Sequence, residues 1–219
     1  MTPPAKIVST ILQSILPPVL TGPASRLYRK YRKLQARNAL KSAKKLHLGC
    51  GDHLLKGWHN VDLEGPAEVI KWDLRKALPV ASNSVELIFS EHFIEHIPKK
   101  RARKLLQSCH QVLQPGGVLR LSTPDLDVLI AAYQQKRLRD WADVEWLPAT
   151  PCQMVNEGMR NWGHEFVYNR SELIELLQDC GFTQIESVDW QKSNHSELAA
   201  LECRPFHQEI ILECRKATL

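Results

Sequence analysis

The sequence has no acidic residue in its first 45 positions, no Cys-x-x-Cys pair, and no apolar run long enough to span a bilayer. Its six cysteines are widely scattered, which excludes a zinc ribbon and a disulfide-rich secreted scaffold and indicates reduced thiols. With only 10 glycines among 219 residues and 43% hydrophobic residues, the chain is neither collagen-like nor wholly disordered. The composition is that of one globular domain with a substantial core.

The positive charge of the chain is concentrated at its N-terminal end. Residues 1–45 contain ten Lys and Arg, whereas the remainder contains 19 basic and 24 acidic residues. We therefore divide the chain into a basic amphipathic helical arm, residues 1–44, and one domain, residues 45–219. Such an arm can lie on an anionic membrane, bind an acidic protein partner or pack weakly on the domain. It also fits an organelle transit peptide, but we expect a cytoplasmic protein, at most peripheral to a membrane.

Two helices are predicted within the arm. Apolar residues at helical spacing over 5–16 predict the first, and a Pro-Pro pair ends it. The second is predicted over about 25–44, with a narrow apolar stripe formed by Leu27, Tyr31 and Leu34. The rest of its surface is basic, so only one narrow strip is available for apolar contact.

From residue 45 onward, short apolar strands alternate with helices, which is typical of an α/β fold with a mostly parallel sheet. Strands are predicted at 45–48, 58–62, 68–72, 85–90, 118–123, 183–189 and 207–215. Helices are predicted over about 99–113, 125–139 and 170–180. Residues 140–168 have no clear period and are predicted to form an irregular insert.

Glycines and acids follow the predicted strands where ligands bind in an α/β sheet. The turn Gly49-Cys50-Gly51 comes directly after the first strand, where backbone N–H groups can approach a ligand closely. The second strand ends in Asp62 and the third in Asp73. Because these strand ends share one edge of the sheet, the two carboxylates can accept hydrogen bonds from ribose hydroxyls and an exocyclic amine.

Four sequence motifs occur in register, LHLGCG at 46–51, GWHNVDL at 57–63, WDLRKALPVASNSVELIFSEHFIEHI at 72–97 and LQPGGVLRLSTPDL at 113–126. Together they resemble class I S-adenosylmethionine-dependent methyltransferases. Their spacing is similar to that of the methyltransferase-11-like subgroup, which is associated with small molecules and cell-surface polysaccharide biosynthesis. The resemblance implies a Rossmann-like, doubly wound seven-stranded sheet with a reversed last strand, and S-adenosyl-L-methionine as the cofactor.

The resemblance also implies a role for each motif residue. Gly49 and Gly51, with Cys50 between them, would hold the methionyl part of the cofactor. Asp62 would bind the ribose beside Leu63. Two further pairs complete the implied site: Asp73 and Leu74 at the adenine, and Ser90 and Glu91 beside the reacting methyl group.

The glycine pattern departs from both dinucleotide-binding proteins and the methyltransferase family. Leu54 stands where a dinucleotide fingerprint has its third glycine, and Asp62 follows Gly49 by only 13 residues, against about 20 in that fingerprint. This spacing argues against NAD. His47 and His53 stand where family members often have an acid and a glycine, so the contact of the methionyl carboxylate stays unassigned, and we expect His47 to be structural.

A second motif, His92-Phe93-Ile94-Glu95-His96, matches the inverted zinc-protease signature, whose two histidines share a helix face. In a zinc metalloprotease His92 and His96 would bind the metal. The motif, however, begins one residue after a buried strand, in a place where the resembled methyltransferases commonly show a similar stretch. We therefore predict no metal, and local hydrogen bonding for Glu95 and His96.

Methyl transfer to oxygen needs an aligned acceptor and a base for its proton, and His suits that task at neutral pH. Two candidates are available: His92, after the strand that ends in Ser90, and His164, in the irregular insert. We assign both as catalytic, together with Glu91. The alternative for each histidine is an ordinary hydrogen-bonding role in a loop.

The insert 140–168 is predicted to be a substrate lid. Four of its aromatic residues (Trp141, Trp146, Trp162 and Tyr168) either stack on an acceptor or seal the core. The predicted acceptor is a small molecule, a sugar or a lipid-linked saccharide, whereas the acidic domain disfavours nucleic acid. The alternative function is a non-catalytic cofactor-binding subunit.

Overall fold

A computed structural model describes residues 23–138, 146–204 and 207–218. The strands are β1 (Lys45–Leu48), β2 (His59–Asp62), β3 (Ile70–Lys71), β4 (Val85–Glu91), β5 (Leu113–Thr123), β6 (Phe182–Ser187) and β7 (Ile210–Lys216). The helices are α1 (Pro23–Ala39), α2 (Lys99–Val112), α3 (Leu126–Gln134), α4 (Pro151–Gly158) and α5 (Arg170–Asp179). Two short 3-10 helices lie at Ile94–His96 and Asn161–Gly163.

All seven strands form one sheet in the order β3-β2-β1-β4-β5-β7-β6. Strands β1 to β5 run parallel to one another, while β7 runs antiparallel to both β5 and β6. The predicted α/β fold, a Rossmann-like doubly wound sheet with a reversed last strand, is confirmed. The carboxyl ends of β1, β2 and β4 consequently lie side by side at one edge of the sheet, where the predicted site residues are.

Helix α2 shows why the hydrophobic pattern predicted this fold. Its inward residues at helical spacing are buried: Ala102, Leu105, Leu106, Cys109 and Val112. They pack with the apolar residues of β1, β4 and β5 into the main core. Removal of this apolar surface from water is the main driving force for the layered arrangement.

Strand β5 begins earlier than predicted. It starts at Leu113, and the Pro115-Gly116-Gly117 segment forms an irregularity in the strand instead of a turn before it. Val85 pairs with Leu113, but Leu87 pairs with Val118, so the extra residues of β5 are accommodated within the pairing. Gly116 has a φ of +78°, a conformation that glycine adopts without strain and that suits such a bulge.

Helix α1 packs on the domain through a face other than its predicted apolar stripe. Tyr31 and Leu34 of the predicted stripe have exposed fractions of 55% and 58%, while Ala36 is buried. Just beyond α1, Leu40 and Ala43 belong to the main core. The division at residue 44 remains a prediction, although these two residues of the arm pack with the domain.

Parts of the arm predictions fall outside the described structure. The helix predicted over 5–16 and the side chain of Leu27 lie outside the described residues. Within the part of the chain that is described, no helix is both long and apolar enough to cross a membrane.

The segment 140–168, predicted to be irregular, contains helix α4. Thr150 caps this helix by accepting a hydrogen bond on its Oγ1 from the Gln153 N–H at 3.1 Å, and Pro151 occupies the first turn. Both features favour a helix start. Met154 of α4 packs with Leu129 of α3 in a small second core. Trp141 lies outside the described residues.

The connection between β6 and β7 is held to the sheet by a buried arginine. Arg120 of β5 is fully buried, and its guanidinium donates to the Glu202 and Glu213 carboxylates, each at 2.7 Å. It also donates to the Lys192 carbonyl oxygen at 2.8 Å. The charge is therefore compensated by two carboxylates, and the three contacts join the connection, β5 and β7.

Candidate active site

The predicted glycine turn and the acid of the second strand meet at the edge of the sheet. The Gly51 N–H donates to Asp62 Oδ2 at 2.9 Å, and the Gly49 N–H donates to the Val61 carbonyl oxygen at 2.9 Å. Gly49 and Gly51 have φ values of +71° and +50°, in the region that favours glycine. The turn and the Asp62 carboxylate are thus one unit, as a site for the methionyl and ribose parts of a cofactor requires.

Phe93 was not identified from the sequence as a site residue, yet its side chain lies against Gly49. A Cβ atom added at Gly49 would be 2.4 Å from Phe93 Cγ, which is impossible without movement of the ring. Gly49 is therefore needed both for its φ and for this close approach. The only signal available in the sequence was the position of Phe93 shortly after β4.

Asp73 is held by two cations at the far end of the site. Its Oδ1 accepts from Arg75 Nε at 2.8 Å, and Lys76 Nζ lies 3.1 Å from its Oδ2. Burial alone would raise the pKa of the Asp73 carboxyl, but the hydrogen bonds from Arg75 and Lys76 outweigh it and lower the pKa to about 2. Asp73 is therefore a carboxylate acceptor throughout the physiological pH range.

A cleft of about 1210 Å³ lies beside Asp73 and is lined by Leu63, Trp72 and the basic side of helix α1. The Trp72 Nε1 atom is buried and has no hydrogen-bond partner. An unpaired N–H group, an ionised carboxylate and apolar side chains are suited to a flat heteroaromatic ring such as adenine. These residues therefore fit the adenosine end of the cofactor that the sequence motifs imply.

The remaining predicted cofactor residues differ in exposure. Leu63 is exposed at 55%, Ser90 is half-buried, and Cys50 and Leu74 are buried. Burial raises the pKa of the Cys50 thiol to about 11, so it stays protonated at neutral pH. Leu74 packs in the main core, which leaves its backbone as the part able to face an adenine ring.

Glu91, predicted to be catalytic, is directed elsewhere. Its carboxylate accepts hydrogen bonds from the backbone N–H groups of Cys203 at 3.2 Å and Arg204 at 3.1 Å. It does not line the cavity that contains His92 and His164. We therefore reassign Glu91 to positioning the 203–204 segment, because both of its carboxylate oxygens accept hydrogen bonds from that backbone.

The two histidines predicted as bases line one cavity. This cavity has a volume of about 320 Å³, and its walls include His92, Glu95, His96 and His164. The 3-10 helix Ile94–His96 after β4 contributes two of these side chains. The Glu165 N–H donates to the Glu95 carbonyl oxygen at 2.8 Å, which places His164 beside them, with 5.0 Å between the ring centroids of His96 and His164.

His92 is held in an unusual conformation. Its φ is +47°, a region that non-glycine residues rarely adopt and that is found at functional sites. Its Nδ1 lies 3.4 Å from Glu95 Oε1, at ion-pair distance but without hydrogen-bond geometry. Its Nε2 is buried with no hydrogen-bond partner. The imidazole therefore has one nitrogen beside a carboxylate and one available to a ligand.

Glu95 is a fully buried carboxylate in the wall of this cavity. Its Oε2 accepts from the Thr123 hydroxyl at 2.9 Å, whereas Oε1 has no hydrogen-bond partner. Burial raises the pKa of the Glu95 carboxyl, but the adjacent His92 and His96 lower it by more than burial raises it. The pKa of Glu95 therefore lies below the ordinary value. The sequence predicted only a local role for Glu95, because its contact with Thr123 joins residues that are distant in sequence.

His164 has a defined tautomer. Its Nδ1 lies 2.9 Å from the Gly158 carbonyl oxygen, which can only accept, so Nδ1 carries the proton. Burial is the main cause that lowers the pKa of His164. The ring is therefore neutral at pH 7, with the lone pair of Nε2 available.

The sequence matches the profile of a family described as a methyltransferase domain over residues 24–187, which is most of the chain. The chain belongs to this family. It is a methyltransferase, and the match begins inside the predicted arm, at the start of helix α1. A search of curated proteins finds no match to this methyltransferase.

Several solved structures are similar to this methyltransferase. An S-adenosylmethionine-dependent methyltransferase from Mesorhizobium loti is 19% identical, with coverage of 84% of this chain and 98% of that one and a TM-score of 0.50. The CurJ carbon methyltransferase is 15% identical over 82% of this chain, with a TM-score of 0.45. Phosphoethanolamine N-methyltransferase 2 of Haemonchus contortus is 14% identical over 86%, with a TM-score of 0.48. The match spans about half of the latter two, 50% and 53% of their lengths.

The aromatic residues of the methyltransferase's predicted lid divide into two groups. Tyr168 is fully buried and Trp146 nearly so, and Trp146 packs in the small second core. Trp162 has an exposed fraction of 52% and lines the cavity beside His164, at 5.6 Å between ring centroids. Of the described aromatics of this group, Trp162 is therefore the one placed to contact an acceptor.

The interpretation of residues 92–96 as a zinc-protease motif does not agree with the local structure. That signature places both histidines on one α-helix, whereas here only Ile94–His96 are helical and form a 3-10 turn. His92 precedes the turn with a left-handed backbone. His92 and His96 consequently do not form the expected pair on one helix face.

Proposed function

We propose that this methyltransferase transfers the methyl group of S-adenosylmethionine to an oxygen of a small molecule or sugar bound in the cavity lined by His92 and His164. The cofactor follows from the family and from the fit of the turn at Gly49 and Gly51 with Asp62. One observation carries the proposal. Phe93 contacts the glycine turn, while the adjacent His92 lines the cavity, so one short segment after β4 borders both sites.

The geometry gives each cavity residue a task. When bound, S-adenosylmethionine supplies a methyl group on a positively charged sulfur, which leaves as a neutral thioether. His92 Nε2 accepts the proton of the acceptor hydroxyl, since its Nδ1 faces the Glu95 carboxylate. The acceptor oxygen forms the new bond to carbon as the carbon–sulfur bond breaks. His164, which lines the same cavity, helps to position the acceptor.

A sugar is the favoured acceptor class. The cavity volume of about 320 Å³ lies at the low end for ligand sites, which suits one small ring. Half-exposed Trp162 offers an aromatic face on which the apolar face of a pyranose can stack. Histidine and carboxylate groups in the walls match the hydroxyl groups of such a ring.

The basic side of helix α1 supports a lipid-linked form of that acceptor. Lys33 and Arg37 of helix α1, and Lys41 just beyond it, line the cleft beside Asp73, and Tyr31 and Leu34 are exposed on the helix. Basic and apolar side chains together favour an anionic lipid surface over a soluble acidic protein. The proposed location is therefore the cytoplasmic face of a membrane.

Calorimetric titration with S-adenosylmethionine and S-adenosylhomocysteine tests the cofactor. We expect micromolar binding that is lost in Asp62→Ala, because Asp62 organises the glycine turn and the ribose site. Asp189→Asn, an exposed acid far from the turn, is the matched control and should bind normally. Absence of binding by folded wild-type protein would contradict the proposed function.

Transfer of a labelled methyl group to nucleotide-linked and lipid-linked sugars tests the acceptor. Product NMR then distinguishes an O-methyl ether from methylated nitrogen or carbon. Flotation with vesicles of phosphatidylglycerol or of phosphatidylcholine tests the membrane contact, which should require the anionic lipid. Equal flotation with both lipids, or with neither, would contradict that part of the proposal.

A further inference from the structure

Three side chains in the wall of the acceptor cavity bring possible metal-ligand atoms close together. Glu95, His96 and His164 each offer one nitrogen or oxygen atom, and these atoms all lie within 4.8 Å of one another. Two imidazoles and a carboxylate are a ligand set that zinc and similar transition metals prefer, whereas calcium and magnesium prefer oxygen ligands alone.

The Glu95 carboxylate has an unused oxygen directed into this cluster. Oε2 accepts from Thr123, whereas the fully buried Oε1 makes no hydrogen bond and lies 3.4 Å from His92 Nδ1 and 3.9 Å from His96 Nε2. A buried carboxylate oxygen without a partner is costly and therefore uncommon in native proteins. A cation at this point would supply the missing partner.

His164 is already oriented as a metal ligand would be. Histidine ligands commonly donate their other ring N–H to a carbonyl or carboxylate, which fixes the tautomer and the direction of the free nitrogen. Here Nδ1 donates to the Gly158 carbonyl oxygen, and the His96 ring lies 5.0 Å from the His164 ring between centroids. The Nε2 lone pair of His164 is thus available without any change of tautomer.

We propose that Glu95, His96 and His164 bind one divalent transition-metal ion of the zinc type, with Thr123 and the Gly158 carbonyl holding two of the ligands in place. This departs from the absence of metal expected from the sequence. It also differs from the inverted zinc-protease pattern, because His164 from the insert takes the place that the motif gives to His92. Three protein ligands leave a fourth position open toward the cavity, as in catalytic zinc sites.

The role of the ion toward the acceptor rests on the proposed function. An acceptor hydroxyl at the open position would lose its proton more readily, because a bound divalent cation stabilises the alkoxide. That proton passes to His92 Nε2, and the oxygen takes the methyl group while the carbon–sulfur electron pair stays on sulfur. Binding of the ion itself does not depend on any methyl transfer.

Titration of chelator-treated, untagged protein with Zn²⁺ and Co²⁺ tests the site. We expect one ion per chain, an intense visible Co²⁺ absorption typical of four-coordinate geometry, and an affinity at least 10-fold lower in His96→Gln and in His164→Gln. His59→Gln, outside the cavity, is the matched control and should bind as the wild type does. Circular dichroism and thermal unfolding establish that each variant is folded.

Two results would overturn the site: no stoichiometric binding by folded protein, or the same affinity in His96→Gln, His164→Gln and the control. Titration of the metal-free protein with S-adenosylmethionine separates this failure from that of the proposed function. Cofactor binding without metal binding refutes the metal site alone, and metal binding without cofactor binding refutes the methyl-transfer proposal alone.

Discussion

Two groups of buried charges contact strand β5, one around Arg120 and one around Glu95, and they differ in how completely their polar atoms are hydrogen-bonded. Arg120 is compensated by Glu202 and Glu213, and a carbonyl oxygen accepts a further hydrogen bond. Glu95 is equally buried, yet one of its oxygens and His92 Nε2 beside it have no hydrogen-bond partner. Complete pairing is what a structural role requires, whereas unpaired polar atoms beside a cavity indicate a place reserved for a ligand.

The comparison also separates two acidic residues of similar appearance in the sequence. Glu91 and Glu95 are four residues apart, and both are buried. The Glu91 carboxylate accepts hydrogen bonds from backbone N–H groups of the 203–204 segment, while Glu95 lines the cavity. Burial alone therefore does not distinguish a structural acid from a functional one, but the inventory of hydrogen-bond partners does.

The largest expected effect comes from breaking the fully paired group. Arg120→Met leaves the Glu202 and Glu213 carboxylates buried without their cation, which should lower the free energy of unfolding by about 3–5 kcal/mol. Urea denaturation followed by circular dichroism measures this change. A loss of less than about 1 kcal/mol would show that the group is not essential to the fold.

His47 is a buried polar group that stays neutral in the folded protein, and it should make the stability of the protein depend on pH. Burial is the main cause that lowers the pKa of His47 from its ordinary 6.5 to about 4, although Asn60 opposes the shift. Between these values the unfolded chain binds a proton that the folded chain does not, so stability should fall as pH decreases from about 6.5 to about 4. The expected loss is about 3 kcal/mol.

Denaturation curves at several pH values in this window measure that slope. His47→Asn removes the titrating group, so its slope should be shallower than that of the wild type, and the two curves should run parallel above pH 8. An unchanged slope in the variant would assign the acid sensitivity to other groups.

Glu95→Gln should affect activity more than stability. The amide oxygen can still accept from Thr123, and the buried charge is removed, so we expect a change in unfolding free energy below about 1 kcal/mol. Methyl transfer should fall about 100-fold, because His92 loses its carboxylate. Glu213→Gln is the matched control in the other group and should show the reverse, with reduced stability and normal activity per folded molecule. Loss of stability in Glu95→Gln with normal turnover would reverse the assignment.

The smallest effect is expected at Trp162. Because its side chain is half-exposed, Trp162→Ala should change the free energy of unfolding by only about 0.5 kcal/mol. The KM for a sugar acceptor should rise several-fold with kcat little changed, since stacking contributes to binding before and during the reaction. A similar fall in the affinity for S-adenosylmethionine would instead place Trp162 at the cofactor.

The strands, most helices and the cofactor edge could be predicted because they depend on local patterns. The alternation of apolar residues located β1 and β4, and the acids Asp62 and Asp73 lie directly after predicted strands. Helix α4 was missed although Thr150 and Pro151 are readable start signals, because its short apolar face has no clear period.

The remainder depends on contacts between distant residues. Glu91 meets the 203–204 segment, and Glu95 meets Thr123 and the segment that contains His164, only after the sheet has formed. No local spacing reports such contacts. The face by which helix α1 packs on the domain could not be predicted for the same reason, since Ala36, and Leu40 just beyond the helix, are buried by contacts with distant residues and do not belong to the apolar stripe.

The Arg120 contacts also constrain the order in which the chain can fold during its synthesis. Arg120 is in the fifth of the seven strands, but its two carboxylates are at positions 202 and 213. Until those residues leave the ribosome, β5 carries a charge that has no partner in the interior, and hydration of this charge opposes closure of that side of the sheet. We therefore expect strands β1 to β4 to assemble early and the burial of β5 to be delayed until β7 has been synthesised.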